Sequence, residues 1–229
     1  MQIIERPSPN HDARTAPIDM LILHYTGMAT GTEALARLCD PDAMVSAHYT
    51  IDEDGTIYRH VPEARRAWHA GVSYWAGETN INARSIGIEL VNPGEEFGYR
   101  PFAEPQIAAL IELAKGIVSR HAIPAHRVLG HSDVAPARKI DPGELFPWPR
   151  LAAEGIGLWP NPLMRGAPLE KMAFATALAQ FGYGVPPAVE TPIETVIAAF
   201  QRHFRPSRID GVVDENCSAI LRGLIEAVS

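Results

Sequence analysis

The chain has 229 residues and a mass of 25.0 kDa, which is enough for one large domain or two small ones. Hydrophobic residues make up 46% of the sequence, so the chain can bury a substantial core. The formal net charge of −7 argues against nonspecific binding to nucleic acid, because phosphate contacts require clustered lysine and arginine.

The first part of the chain alternates strand-like and helix-like segments. The apolar run 20–24 predicts a buried strand, and 32–38 predicts a short helix. Segments 48–51 and 56–61 flank an acidic turn at 52–55 that ends in glycine, which predicts a β-hairpin.

Further along, the arginine pair at 65–66 is interpreted as a solvated turn. Residues 85–91 predict a second buried strand, which ends at the Asn-Pro-Gly turn 92–94. Apolar residues three and four apart over 104–120 predict an amphipathic helix, and 127–130 predicts a short strand. The fold class is therefore α/β, with a mixed central sheet flanked by helices.

The composition changes near residue 155, where Gly and Pro become frequent. Three helix-like stretches follow at 169–181, 193–204 and 215–227, which predict a small three-helix domain. The predicted organisation is a first domain at 1–154, a linker at 155–167 and the helical domain at 168–229.

Cys39 and Cys217 provide no disulfide framework, and we expect two semi-buried thiols, although a bond is possible in an exported protein. The first residues do not read as a signal peptide, and no apolar run approaches the roughly 18 residues of a membrane span. These features favour a cytoplasmic protein over a periplasmic or envelope one. The oligomeric state is not set by any feature of the sequence.

Four polar residues stand at positions where chemistry is expected. His24 ends one predicted strand, His131 follows another, and Asp141 lies ten residues later. Two histidines and one carboxylate are typical of a catalytic zinc site, in which a fourth position is left for water. Singly, each is weak evidence, since a strand-end histidine is more often packed and an Asp before Pro-Gly is usually a turn residue. Glu89 lies within an apolar strand, where burying a carboxylate without a partner is costly.

Seven short motifs, in order between about residues 15 and 150, carry a family resemblance. The chain resembles the zinc N-acetylmuramoyl-L-alanine amidases of the second type, relatives of the phage lysozyme-amidases and the animal peptidoglycan recognition proteins. The motifs are Leu-His-Tyr-Thr at 23–26, Val-Ser-Ala-His-Tyr at 45–49, Asp-Gly-Thr-Ile-Tyr at 54–58, Ala-Trp-His-Ala-Gly at 67–71, Asn-Ala-Arg-Ser-Ile-Gly-Ile-Glu at 82–89, Gly-His-Ser-Asp-Val-Ala-Pro at 130–136 and Arg-Lys-Ile-Asp-Pro-Gly at 138–143.

The resemblance implies roles for five residues of the catalytic domain 1–154. His24, His131 and Asp141 would bind Zn²⁺, Glu89 would move protons, and Lys139 would stabilise the oxyanion. The implied reaction is hydrolysis of the amide between N-acetylmuramic acid, or its anhydro form, and the L-alanine of the stem peptide.

The resemblance also implies substrate contacts. His69 and Trp68 are expected to line the groove, with a surface loop as the alternative, while Asn82 and Arg84 could contact peptide carboxylates or simply lie on the surface. His48 could orient a metal ligand or belong to the core.

The region 168–229 resembles a three-helix peptidoglycan-binding module, through the motifs at 199–204 and 209–214. A plain helical cap is its alternative.

Two rival functions are a peptidoglycan-recognition protein that does not cut and a zinc peptidase that cuts elsewhere in the stem peptide. The complete set of metal-binding residue types disfavours the first. The sequence lacks H-E-x-x-H, which disfavours the commonest form of the second. The partner is expected to be polymeric peptidoglycan or small muropeptides: the binding-like module favours the polymer and the lack of a signal peptide favours muropeptides.

Overall fold

The computed structural model describes residues 2–160 and 167–228. Residues 161–166 of the predicted linker lie outside the described residues. The strands are β1 (Ile3–Glu5), β2 (His11–Ala13), β3 (Met20–Tyr25), β4 (Tyr49–Ile51), β5 (Ile57–Arg59), β6 (Arg65–Ala67), β7 (Ser85–Leu90) and β8 (Val128–Gly130). The helices are α1 (Gly31–Cys39), α2 (Ile81–Arg84), α3 (Gly94–Phe97), α4 (Glu104–His121), α5 (His131–Val134), α6 (Trp148–Ala153), α7 (Lys171–Phe181), α8 (Ile193–Phe204) and α9 (Glu215–Val228).

One mixed sheet organises the first part of the chain, in the order β1-β5-β4-β7-β3-β8. Strands β4, β7, β3 and β8 run parallel to one another, whereas the β4–β5 hairpin is antiparallel. This confirms the predicted α/β class and the mixed sheet. Because four neighbouring strands are parallel, their carboxyl ends meet at one edge of the sheet.

The central strand β3 is buried on both faces, and its alternation decides what each face contacts. Leu21 and Leu23 point to the face covered by α4, in a cluster with Ile107 and Leu110. Met20 and Ile22 point to the opposite face and belong to a cluster with the C-terminal helices. Such continuous apolar runs are typical of parallel strands that are covered on both sides.

The three predicted C-terminal helices are present as α7, α8 and α9, and they pack directly on the sheet domain. Trp75 of the first domain contacts Phe181 and Tyr183, with ring centroids 6.0 and 4.8 Å apart. These residues share one apolar cluster with β3. The helical region therefore packs against the sheet domain through a shared apolar core. The predicted linker at 155–167 stays a prediction.

The short strands β1, β2 and β6 were not predicted, because a segment of three residues is too short to show a periodic pattern. The prediction of a solvated turn at 65–66 is wrong: β6 pairs antiparallel with β2. Arg14 holds this ribbon to the sheet, since its guanidinium donates to the carbonyl oxygens of Glu63, Arg65, Ala83 and Ser85. These contacts between distant residues fix the position of the ribbon, which no local sequence pattern indicates.

Cys39 and Cys217 are both free thiols. Cys217, on α9, is buried in the core, whereas Cys39 lies partly exposed near Arg6. Within the ranges that the structure describes, no helix has the length and apolar character needed to cross a membrane.

Glu63 generates a testable pH dependence of stability. Its half-buried carboxylate accepts hydrogen bonds from Arg120, His121 and Tyr49. Although burial alone would raise the pKa of Glu63, these three donors lower it to about 2 from 4.5. A carboxyl with a depressed pKa stabilises the fold above its unfolded pKa, and this contribution is lost as the pH falls from about 4.5 towards 2.

We therefore expect Glu63→Gln to lower the free energy of unfolding by about 2 kcal/mol at pH 6. The difference between wild type and variant should shrink to about half or less at pH 3. Urea unfolding at both pH values measures this. An equal difference at pH 6 and pH 3 would contradict the assigned role.

Candidate metal centre and active-site cleft

The parallel strands bring the predicted residues to one edge of the sheet. His24 lies near the end of β3, and Glu89 is its direct neighbour on β7. His131 comes immediately after β8 and begins α5. Asp141 reaches the same place from the following loop, where its carbonyl oxygen accepts a hydrogen bond from the backbone of Ser132.

His24, His131 and Asp141 converge on one point. The Nδ1 atoms of His24 and His131 are 3.0 Å apart, and Asp141 Oδ2 lies 3.0 and 3.1 Å from them. All three residues are buried, with exposed fractions of 1%, 3% and 5%. Together they form a group that could hold a metal ion.

The electrostatics of this group favour a bound cation. Burial, together with neighbouring His131, lowers the pKa of His24 to about 4, so the His24 imidazole is neutral at pH 7. Burial alone would raise the pKa of Asp141, but His131 and His24 hold it well below its usual range. The site thus contains a carboxylate anion beside a neutral imidazole, and both groups can bind a cation.

The donor set fits a zinc ion. Zn–N and Zn–O distances of about 2.0–2.2 Å at tetrahedral angles separate ligand atoms by about 3.3 Å, close to the observed spacing. His131 Nε2 lies 3.0 Å from the carbonyl oxygen of Ala70, which can only accept a hydrogen bond. In a neutral ring that donates to this carbonyl from Nε2, Nδ1 presents a lone pair to the site.

Glu89 and Lys139 line the same cleft, which has a volume of about 180 Å³. Glu89 Oε2 is buried and accepts no hydrogen bond from the residues that the structure describes. Burial raises the pKa of Glu89 well above its ordinary value, the charge of Asp141 raises it further, and Lys139 opposes the shift. The cleft thus holds a carboxyl group whose pKa suits proton transfer.

Trp68 and His69 also lie at this cleft. The indole Nε1 of Trp68 is buried without a hydrogen-bond acceptor among the described residues. His69 is nine-tenths buried, and its Nδ1 lies 3.0 Å from His24 Nε2. Burial is the main reason why the pKa of His69 is well below its ordinary value. His69 therefore contacts a metal-facing histidine, which the sequence did not predict.

Asn82 and Arg84 do not line the cleft that holds His24, and their contact with peptide carboxylates stays a prediction. Asn82 Oδ1 instead accepts hydrogen bonds from the backbone N–H groups of His69 and Ala70. Arg84 precedes β7 at the opposite edge of the sheet, where it pairs with Asp19 and Glu78. Both side chains make structural contacts within the protein.

His48 packs behind His69, with ring centroids 5.7 Å apart. Its Nδ1 accepts a hydrogen bond from the backbone of Gly87, and its Nε2 lies 3.1 Å from the Arg65 carbonyl oxygen. His48 therefore joins β7 to β6 and is not in hydrogen-bond contact with His24 or His131.

A buried network below His131 was missed by the sequence reasoning. Asp133 is 0% exposed, and its Oδ2 accepts hydrogen bonds from the Gly130 N–H and from His203 Nδ1, both at 2.7 Å. Its Oδ1 accepts one from the Tyr183 hydroxyl at 2.6 Å. The helical region thus holds the short helix that begins with His131. His203 and Tyr183 carry no local signal of this contact, because their partner is 70 and 50 residues away.

The fold and the site together define a hydrolase with a candidate site for a divalent metal at the carboxyl edge of a mixed sheet. The family model described as N-acetylmuramoyl-L-alanine amidase matches residues 14–144. In sequence, the chain is 41% identical to the N-acetylmuramoyl-L-alanine amidase AmiD of Escherichia coli strain K12 over 232 residues, covering 91% of this chain and 83% of AmiD.

Two solved structures are similar over nearly the whole chain. One is E. coli AmiD in complex with the substrate anhydro-N-acetylmuramic acid-L-Ala-D-gamma-Glu-L-Lys, with a TM-score of 0.84, 39% identity and coverage of 94% and 92% of the two chains. The other is AMPDH3 from Pseudomonas aeruginosa in complex with anhydromuramic pentapeptide, with a TM-score of 0.84, 35% identity and coverage of 92% of each chain. The chain belongs to the N-acetylmuramoyl-L-alanine amidase family.

Removing one member of the buried triad should abolish tight metal binding. His131→Ala leaves two donors, so we expect zinc affinity to fall by at least about 100-fold. Equilibrium dialysis followed by metal analysis measures this. His126→Ala, which removes a partly exposed histidine outside the cleft, is the matched control and should retain about one zinc ion per chain. Equal zinc contents in the two variants would contradict the assignment.

Tyr183→Phe tests the network below His131. Removal of the hydroxyl leaves a buried carboxylate oxygen without its donor, so the free energy of unfolding should fall by about 1–3 kcal/mol. Tyr58→Phe, on β5 and outside the network, is the control and should change it by less than about 0.5 kcal/mol. Urea unfolding decides between a stabilising hydrogen bond and a neutral contact, which would give equal values for both variants.

Proposed function

We propose that this chain hydrolyses the amide between N-acetylmuramic acid, or its anhydro form, and the L-alanine of the peptidoglycan stem peptide. One observation carries the proposal: His24, His131 and Asp141 converge within 3.1 Å beside the unpaired carboxyl of Glu89, in a chain of the amidase family. The anhydro-muramyl peptides in the AmiD and AMPDH3 complexes support this class of substrate.

We infer that the triad holds Zn²⁺, because two imidazoles and one carboxylate are the donors that a catalytic zinc site uses. When bound, zinc would polarise the scissile carbonyl and lower the pKa of nearby water towards neutrality. His24, His131 and Asp141 supply the fixed, buried donors, and their mutual distances require little rearrangement for binding.

Glu89 is assigned the proton transfer. Glu89 lines the cleft, its Oε2 has no partner among the described residues, and burial raises the pKa of its carboxyl well above the ordinary value. It would accept the proton of the attacking water and donate a proton to the alanine nitrogen, which then leaves as an amine.

Lys139 is assigned the stabilisation of negative charge. Its ammonium group opposes the rise in the pKa of Glu89 and contributes to the fall in the pKa of His24. The positive charge of Lys139 therefore acts on the groups of the candidate site. A positive charge there stabilises the oxyanion that develops when the amide carbonyl becomes tetrahedral. Trp68, on the cleft wall, offers an apolar face to the sugar or peptide.

A recognition protein that binds without cutting is disfavoured by Glu89. A buried carboxyl without a partner destabilises a fold, and binding alone gives no reason to retain it. A peptidase acting elsewhere in the stem peptide would have the same metal donors but a different product. Mass spectrometry of the products distinguishes the two hydrolases, since only the amidase releases a free lactyl carboxylate and a peptide beginning with L-alanine.

Glu89→Gln should retain zinc but lose turnover by about 10²–10⁴-fold, because the amide cannot exchange the proton. Its unfolding midpoint should be equal to or higher than that of wild type, since a desolvated carboxyl is removed. The assay measures release of L-alanyl peptide from anhydro-muropeptides, with the exposed Glu33→Gln as the control. Wild-type turnover by Glu89→Gln would remove Glu89 from the mechanism.

One comparison tests both the form of the substrate and the compartment. Wild-type protein is incubated in parallel with intact sacculi and with purified anhydro-muropeptides, and the two rates of L-alanyl peptide release are compared. We propose the muropeptide, and with it a cytoplasmic location, which cell fractionation would check. Faster release from sacculi would instead support an envelope enzyme acting on polymer.

A further inference from the structure

One dipeptide contacts the far side of both metal-facing histidines. His69 Nδ1 lies 3.0 Å from His24 Nε2, and the carbonyl oxygen of Ala70 lies 3.0 Å from His131 Nε2. In both cases the contact is made to Nε2, the ring nitrogen opposite the Nδ1 that faces Asp141. Residues 69 and 70 therefore touch the two imidazoles at the atoms that decide their tautomers.

The hydrogen bonds of Ser85 determine which nitrogen of His69 carries the proton. The Ser85 hydroxyl donates to the carbonyl oxygen of Ile81 at 2.7 Å, so its single proton is already used. Ser85 Oγ can then only accept from His69 Nε2, at 3.2 Å. In a neutral His69 this leaves Nδ1 as an acceptor, which receives the proton of His24 Nε2. His24 must then present a lone pair on Nδ1.

A neutral His69 is the form that its surroundings favour. Its ring is packed against His24 and His48, and it makes no ion pair with a carboxylate in the part of the chain that the structure describes. A buried imidazolium without an anionic partner would be costly. The chain of donors therefore runs in one direction, from His24 through His69 and Ser85 to Ile81.

The dipeptide is itself held firmly. Asn82 Oδ1 accepts hydrogen bonds from the N–H groups of His69 and Ala70, at 3.1 and 2.8 Å. The His69 ring lies directly on β7 at Gly87, where a Cβ atom would come within 2.4 Å of it. Only glycine leaves space for the ring at this position. Both the backbone and the side chain of the dipeptide are thus placed by the sheet.

We propose that His69 and Ala70, held by Asn82 and seated on Gly87, are positioning residues that fix both histidine ligands in the tautomer with a lone pair on Nδ1. This inference rests on the proposed metal site. Hydrogen bonds to the outer nitrogen of a ligating histidine typically change metal affinity by 10–100-fold.

The direct test is nitrogen NMR of the wild-type protein loaded with Zn²⁺ and labelled at histidine with ¹⁵N. Two-bond ¹H–¹⁵N spectra should show His24 and His131 protonated on Nε2 and unprotonated on Nδ1. If either ring is protonated on Nδ1, or if its two forms are equally populated, the proposal is wrong. This measurement needs no variant, so it decides the question even where a substitution prevents folding.

A pair of variants measures the consequence. His69→Leu removes the acceptor for His24, whereas His69→Asn keeps a carbonyl oxygen near the position of Nδ1. Chelator competition should show zinc affinity about 10–100-fold weaker for His69→Leu, within about 3-fold of wild type for His69→Asn, and unchanged for the control His126→Leu. Equal affinities for His69→Leu and His69→Asn would overturn the proposal.

These results separate this inference from the proposed function. If wild-type protein neither binds zinc nor releases L-alanyl peptide, the proposed function fails. If wild type does both while His69→Leu binds zinc as tightly as wild type, only the positioning role fails.

Discussion

Three buried electron-pair donors held about 3 Å apart form the constraint on which this structure depends. Two imidazole nitrogens and one carboxylate oxygen converge without a described cationic side chain in hydrogen-bond contact with any of them. Such an arrangement is unfavourable in a protein interior unless a cation occupies the point of convergence. The surrounding fold keeps these groups together, which is why the site reads as a metal centre and not as part of the core.

The parallel sheet supplies the first part of that restraint. Because β3, β7 and β8 share a direction, His24, Glu89 and His131 reach the same edge without any adjustment of the loops. The apolar residues that precede His24 on β3 alternate between the two faces of the sheet and fill the core on each side. The same backbone geometry therefore builds the core and presents the chemical groups.

The second part of the restraint comes from outside the sheet. Asp133 links the start of α5 to Tyr183 and His203 of the helical region, while the 69–70 dipeptide contacts the outer nitrogens of both imidazoles. The helical region thus contacts Asp133, which lies in the same short helix as His131 of the candidate metal site. Support from two directions is what a preorganised site requires, because a shift of 1 Å in a ligand would separate the donors.

The sequence by itself determined the buried strands β3 and β7, the β4–β5 hairpin, the long helices and the candidate donors His24, His131 and Asp141, since local periodicity and ordered motifs report these directly. It also indicated Glu89, because a carboxylate in an apolar strand is conspicuous. Only the tertiary structure decided that Arg84 lies at the opposite edge of the sheet, that Asn82 holds a backbone segment, and that His69 contacts His24. These contacts join residues up to 65 positions apart, and no local pattern encodes which groups will meet when distant segments pack.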